Sequence, residues 1–392
     1  MTDGPAAARD GAYIGLDLGT SGLKAVALAA DGRVLGRAAA AYPTARPQDG
    51  ACEQDPADWL AAGAAALAQL GSAVPTWRWR GIGLSAMIPT LVTLDAVAEP
   101  TGPAITWQDS RADNDGEAFR ERFVADRLYR LTGQWVDGRY LLPMFARLVR
   151  AEPARAAATA TIASAKDYLF GWLTGTIATD PSTAAGYGCY ELAAGSWHPP
   201  ARDAALGAGA PVRPTGRWPA LPASPRPALP PVLPSAATRP LRAELASALG
   251  CPQLPVCLGA ADSVLGALGL GVREPGQVAY IAGTSNVIMG VTGELVLDPG
   301  HRFLVTPLAE PGRWGVEMDL LATGSAIGWL SGLLGVPDGP AAITALAAGT
   351  DPRAAPVVLP FLSPGEQGAL WDPRLHGAIT GLTLRHGREH LA

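Results

Sequence analysis

The residue types best suited to chemistry sit in two short stretches that look like copies of each other: Asp17-Leu18-Gly19-Thr20-Ser21 with Lys24, and Gly283-Thr284-Ser285-Asn286. Each follows an apolar run of β type and leads into a second one. Glycine lets the backbone approach a ligand closely, and hydroxyls and turn amides donate to anions. Both stretches read as phosphate-holding hairpins, against the plainer reading of two ordinary turns. Gly19 and Gly283 lie 264 residues apart, a repeat that implies two similar lobes with a nucleotide phosphate chain between them.

Three further groups carry potential chemistry. Asp262 follows an apolar strand in Val256-Cys-Leu-Gly259-Ala-Ala-Asp262-Ser263. Small and apolar neighbours there predict a desolvated carboxylate suited to taking a proton from a hydroxyl, although an N-cap for a helix over 263–268 explains it equally. Asp17 is a hard oxygen donor placed to bind Mg²⁺ directly or through water, or else a turn-stabilising residue. Trp107-Gln108-Asp109-Ser110-Arg111 groups an aromatic face, a carboxylate and a guanidinium, the mixture a polyhydroxylated ligand uses, or an exposed strand end. His386-Gly-Arg-Glu389-His390 matches a zinc spelling but has no third ligand nearby.

The elements that position these groups follow from local signals. No Walker loop is present, because Gly19-Thr20-Ser21 leads into a second apolar run and then Asp31-Gly32, a hairpin signal. A meander over 13–18, 24–28 and 33–40 is therefore expected. Asp55 as N-cap and Pro56 at the first turn open a helix over 58–70. Strands are expected at 81–87 and 91–94 and helical pattern at 112–128, which together indicate an α/β architecture. The segment 199–240 is crowded with proline and reads as a surface excursion or linker. A helix over 241–249 closed by Gly250, then a strand at 254–258, places the lobe boundary near residue 245, giving lobes 1–245 and 246–392.

Composition bounds the function class. The 392 residues are 48% hydrophobic and 17% charged, which supplies core for two or three domains. A net charge of −5 argues against nucleic acid or an anionic membrane surface as partner, so the expected ligand is small. Cys52, Cys189, Cys251 and Cys257 show no C-x-x-C spacing and are expected to be reduced. The first ten residues contain no apolar leader, which fits a cytoplasmic enzyme. The uncharged run 320–336 is short for a membrane span and predicts a buried helix.

Taken together, these residues resemble the FGGY carbohydrate kinases of the actin-like, sugar kinase and heat-shock ATPase superfamily, and the xylulokinase-like members in particular. The resemblance is carried by Asp17 to Ser21 with Lys24, Glu53-Gln54-Asp55-Pro56 with Trp59, Trp107 to Arg111, and Lys166-Asp167-Tyr168-Leu169 with Gly175. Gly259-Ala-Ala-Asp262, Gly283-Thr284-Ser285, Gly324 to Trp329, and Pro360 through Trp371-Asp-Pro373 complete it. It implies two ribonuclease-H-like lobes and phosphorylation of a sugar or polyol hydroxyl by ATP with Mg²⁺ in the cleft between them. By resemblance, Asp262 is the catalytic base and Asp17 the metal residue. Thr20, Ser21, Lys24, Gly283 and Thr284 attend the phosphates, and Gly324 lies where the nucleotide is approached. Met87, Trp107, Asp109, Arg111 and Ser263 are the corresponding sugar-side residues.

Departures bear on specificity. Xylulokinase-like members carry Gln-Met-His-Gly where this chain has Ala86-Met87-Ile88-Pro89, and Asn where it has Ser263. A pentulose such as xylulose is the first expectation, with gluconate, another sugar acid, a polyol, or a non-catalytic sugar- or nucleotide-sensing role as alternatives. Partners are then a small sugar, neither nucleic acid nor membrane, with room left for a homodimer. The resemblance also creates the expectation of an incomplete second lobe, since family members continue past the helix at the end of this chain into a glycine-rich adenine loop.

Overall fold

Alternation of apolar with small or polar residues from Ala12 to Ala41 produces the meander. Its strands are β1 (Ala12–Leu18), β2 (Gly22–Ala29) and β3 (Val34–Ala41), paired antiparallel in sequence order. The computed structural model describes residues 11–206, 226–282, 286–320, 322–336, 339–362, 370–372 and 374–392. Two compact units result, the first Met1–Leu268 with Thr306–Trp314, the second Gly269–Val305 with Gly315–Ala392.

In the first unit, β4 (Glu53–Gln54) precedes helix α1 (Pro56–Ala73), whose N-cap Asp55 accepts from the Ala57 amide at 2.9 Å. Proline at the first turn and the acidic cap start this helix as the local signals require. Trp59, Ala66, Leu67 and Leu70 form its buried stripe, and it packs across β2 and β3. Next come β5 (Trp79–Ala86), β6 (Leu91–Leu94) and β7 (Ala104–Ile105).

The helical pattern at 112–128 is two helices, α2 (Asp113–Phe123) and α3 (Ala125–Thr132). They are separated by Val124 at φ 62°, a backbone state that no helix can run through, so a single helix is corrected to a pair. Strand β8 (Thr161–Ser164) then feeds α4 (Ala165–Thr174), which begins at a capping box formed by Ser164 and Asp167 and stops at left-handed Gly175. Helix α5 (Pro181–Ala185), the short pair β9 (Tyr190–Glu191) and β10 (Ser196–Trp197), and β11 (Thr238–Pro240) follow, then α6 (Ala243–Leu249), closed by left-handed Gly250.

Strand β12 (Pro255–Ala261) lies inside the main sheet, ordered β11-β12-β5-β1-β2-β3, where it runs parallel to β5. It does not open the second unit. Its apolar residues Val256, Leu258, Ala260 and Ala261 are buried in a ladder that the first unit leaves incomplete without it, so the units part after Leu268 rather than near 245. One core fills the face between this sheet and α1 and α4. A second core surrounds the sheet ordered β4-β7-β6-β8, with Phe119, Leu142, Phe145 and Tyr187.

The second unit starts with α7 closing, at Gly269, the helix that Asp262 opens (Asp262–Gly269). Its sheet is ordered β13-β14-β16-β15, from β13 (Val278–Ala282), β14 (Asn286–Thr292), β15 (Leu304–Pro307) and β16 (Trp314–Leu320). The run 320–336 does form a helix, α8 (Gly324–Leu333), packed on α9 (Gly339–Ala347). Only Ser331 of α8 is buried, whereas Ile327, Trp329 and Leu333 are exposed, so the expectation of a buried helix is corrected. A small hairpin, β17 (Val357–Leu359) with β18 (Ala378–Thr380), completes the described strands. No helix among the described residues is long and apolar enough to cross a membrane.

Candidate active site

Three parallel strands end together on the first unit. In register, Asp17 of β1 stands beside Ser85 of β5, and Ser85 beside Ala260 of β12; one step on, Leu18, Ala86 and Ala261 are level. Asp262 follows at once as the first residue of α7. Asp17 and Asp262 thus close strands with only β5 between them, at roughly 5 Å per strand spacing. The carboxyl ends of parallel strands in an open α/β sheet are where ligand-binding groups gather.

Asp17 is half-buried, and its Oδ1 accepts from the Ser85 hydroxyl at 2.8 Å. Its Oδ2 faces Gly19, where an added Cβ would come within 3.9 Å of that oxygen. A carboxylate oriented through one oxygen by a hydroxyl, with the other beside a glycine turn, fits a hard divalent cation held directly or through water.

The first Gly-Thr-Ser turn is tight. The Gly19 amide donates to the Gly22 carbonyl at 3.1 Å, and a Cβ on Gly22 would sit 2.8 Å from the Ala40 carbonyl, so glycine is required where β2 meets β3. The turn is gripped from several sides. Tyr42 donates its phenol to the Gly19 carbonyl, and burial, reinforced by the nearby Asp17 charge, pushes that phenol's pKa well above its ordinary value. Gln54 donates to the Thr20 carbonyl at 2.7 Å and to Thr44 Oγ1 at 2.8 Å, and accepts from Trp59 Nε1 at 3.0 Å. Trp107 Nε1 donates to Thr20 Oγ1 at 3.1 Å. Thr20 is half-buried, while Ser21 and Lys24 are exposed, and Lys24 lies opposite Asp17 in the β1–β2 ladder. The result is a rigid turn presenting a hydroxyl and an ammonium.

The sugar-side residues separate into different environments. Asp109, 2% exposed, accepts from the Cys52 amide at 2.8 Å and from Arg111 Nη2 at 2.6 Å, and Arg111 also reaches Glu53 Oε1 at 2.5 Å. Asp109 and Arg111 therefore satisfy each other and fasten their segment to β4, whereas Trp107 reaches the Gly-Thr-Ser turn. Met87 is buried in the main core, and its amide donates to the Leu18 carbonyl at 2.9 Å. Ser263 is buried and donates its amide to Asp262 Oδ1 at 2.8 Å.

Asp262 itself is exposed. The desolvation expected from its apolar neighbours does not occur, because Ala260, Ala261 and Val264 turn into the core and the carboxylate turns away from it. That orientation leaves the carboxylate reachable by a substrate hydroxyl.

Within the second unit, β13 and β14 pair antiparallel from Ala282 beside Asn286, as the second hairpin requires. Gly283 and Thr284 lie outside the described residues. Just past that turn, Asn286 Oδ1 accepts from Thr323 Oγ1 at 2.8 Å, which ties the hairpin to the start of α8 at Gly324. Amides at the first turn of a helix are ready partners for anionic ligands.

Gln54, Ser85 and Tyr42 escaped the reading by residue type. Gln54 sits within a quoted motif, but its role depends on contacts up to 34 residues away. Nothing local marks Ser85 or Tyr42.

Similarity to known proteins extends along almost the whole chain. Residues 12–269 match the family model described as FGGY family of carbohydrate kinases, N-terminal domain, and residues 278–392 match the C-terminal domain of the same family. The chain is 32% identical to a xylulose kinase from Klebsiella pneumoniae, over 97% of this chain and 75% of that protein. It is 25% identical to a gluconokinase from Bacillus licheniformis, over 96% and 72% respectively. Among solved structures, a xylulose kinase from Rhodospirillum rubrum aligns with a TM-score of 0.80 at 30% identity, covering 97% of this chain and 75% of that one.

Proposed function

This chain belongs to the FGGY family of carbohydrate kinases, and we propose that it transfers a phosphoryl group from ATP to a hydroxyl of a pentulose such as xylulose. The single observation that carries the residue assignment is the placement of Asp17 and Asp262 at the ends of parallel strands separated only by β5.

In this reading Asp262 accepts the proton of the sugar hydroxyl as its oxygen bonds to the γ-phosphorus. The bond from that phosphorus to the bridging oxygen breaks, and ADP leaves. Thr20, Ser21 and Lys24 orient and neutralise the phosphates, and the family resemblance gives Gly283, Thr284 and Gly324 the same duty. Such transfer depends chiefly on positioning and charge stabilisation, which suits a turn held rigid by Tyr42, Gln54 and Trp107. Asp17, steadied by Ser85, would hold Mg²⁺, which supplies charge neutralisation across the phosphates. Trp107, whose indole N–H is engaged with Thr20, offers its ring as an apolar wall for the sugar. Asp109 and Arg111 support that wall through their ion pair, and Met87 and Ser263 support the strand ends from beneath. ATP as donor suits a cytoplasmic setting.

Gluconate is the second reading, favoured by the gluconokinase relative and by Ile88 and Ser263 standing where xylulokinase-like members carry His and Asn. ADP release measured with xylulose, ribulose, gluconate and glycerol separates the readings. Turnover on a pentulose at least tenfold above the others supports the first. Preference for gluconate replaces it with the second, and no turnover on any member of the panel overturns the catalytic assignment.

A further inference from the structure

Below Asp262 lies a charged pair that the transfer reaction does not use. Lys166 and Asp180 are both fully buried, with Lys166 Nζ 3.0 Å from Asp180 Oδ1. Lys166 Nζ also donates to the Leu258 carbonyl at 3.3 Å. Asp180 Oδ2 accepts from Ser182 Oγ at 2.5 Å and from Ser235 Oγ at 3.3 Å, and its Oδ1 accepts from Thr183 Oγ1 at 2.6 Å. Ser182 Oγ in turn accepts from the Ala261 amide at 2.9 Å. One carboxylate is thereby joined to β12 through Lys166 at Leu258 and through Ser182 at Ala261, with Ser235, whose carbonyl accepts from the Gly259 amide at 2.9 Å, between them.

Between those two points β12 is irregular. Its register against β5 shifts between Cys257 and Ala260, and Gly259 takes φ +70° where an added Cβ would lie 1.7 Å from the Leu84 carbonyl oxygen. A bulge bends a strand and frees its end from the direction the ladder would impose. The residue immediately beyond the second anchor is Asp262. Burying an ion pair is costly in desolvation, and one attested use of such pairs is to fix a geometry rather than to add stability.

We propose that Lys166, Asp180 and Ser182 are positioning residues that brace the bulge of β12 and thereby aim the Asp262 carboxylate at the acceptor hydroxyl. The inference rests on Asp262 being the base. Ser182 is the informative position, because its hydroxyl alone joins Asp180 to the Ala261 amide and its removal leaves the buried ion pair intact.

The test is a kinetic cycle on the full chain with ATP and the sugar it phosphorylates, using Ser182→Ala, Asp262→Asn and the double variant. Ser182→Ala is expected to lower kcat about tenfold to a hundredfold, the scale of a misplaced catalytic group, with the KM for ATP within about twofold. Ser182→Thr, which keeps the hydroxyl, should recover most of the loss. In the Asp262→Asn background the same alanine change should cost less than about twofold, since there is no base left to aim. An Ser182→Ala enzyme with unchanged kcat overturns the brace, as does an equal loss in both backgrounds, which would mean general structural damage. If Asp262→Asn itself retains normal turnover, the base assignment fails first and is distinguishable from failure of the brace alone.

Discussion

Trp107 Nε1 and Thr20 Oγ1 are 3.1 Å apart, so the tryptophan assigned to the sugar side donates directly to the threonine assigned to the phosphates. The donated bond occupies a lone pair of the hydroxyl and turns its hydrogen away from the indole.

Trp107→Phe keeps an aromatic ring but removes the indole N–H together with the five-membered half of the indole. A neutral hydrogen bond contributes about 1 kcal/mol, so an effect of roughly fivefold is expected, and it should fall on kcat or the KM for ATP while the sugar KM holds. Steady-state kinetics varying each substrate separately decides this; a change confined to the sugar KM would show that the bond does not orient Thr20.

Asp262→Asn preserves shape and removes the basic oxygen. Turnover should fall about 10²–10⁴-fold, with sugar binding by calorimetry little altered. Near-normal turnover would move the base elsewhere.

Asp17→Asn should raise the Mg²⁺ concentration needed for half-maximal rate, and Ser85→Ala should do the same more weakly, since the hydroxyl orients the carboxylate without replacing it. Rates measured across a Mg²⁺ titration provide the readout. An unchanged midpoint in the Asp17 variant removes that residue from the metal site.

Gly259→Ala places a Cβ 1.7 Å from the Leu84 carbonyl oxygen at a positive φ. Both effects oppose folding, and a loss of about 3 kcal/mol or more is expected by urea denaturation. A variant as stable as the parent would mean that β12 does not pass so close to β5.

Tyr42 carries a pH signature. Its phenol pKa is raised by burial and then by Asp17, so the folded state holds the proton where the unfolded chain releases it. Stability from this group is fully present below the unfolded value of about 10 and declines as pH rises above it. Urea midpoints at pH 9 and pH 10.5 should differ more for the parent than for Tyr42→Phe; equal differences count against the assignment.

Much of this architecture is legible in the sequence because it is locally determined. The β1–β3 meander follows from alternation and Asp31-Gly32, the start of α1 from Asp55-Pro56, and the end of α6 from Gly250. Position along the chain also singles out Asp17, in an apolar strand just before a Gly-Thr-Ser turn, and Asp262, directly after an apolar strand. What escaped depends on distant partners. Asp109 and Arg111 look like a free polar pair until Glu53 and the Cys52 amide arrive from more than fifty residues away. Lys166 and Asp180 stand apart in the chain, and nothing local pairs them. The break at Val124 runs against that residue's own preference, which only tertiary packing can override. The unit boundary was displaced because a strand's sheet is decided by its pairing partner, here β5, and not by the proline-rich stretch before it.

The interior position of β12 also bears on how the protein is made. While a ribosome is still producing the first two hundred and fifty residues, β5 has its β1 neighbour but presents its other edge unpaired, because the strand that covers it is encoded last in that sheet. Such an open edge, waiting on a parallel partner some 170 residues downstream, is slow to satisfy and liable to recruit other chains. Asp262 follows directly on that covering strand, so one event closes the open edge of β5 and sets Asp262 beside it.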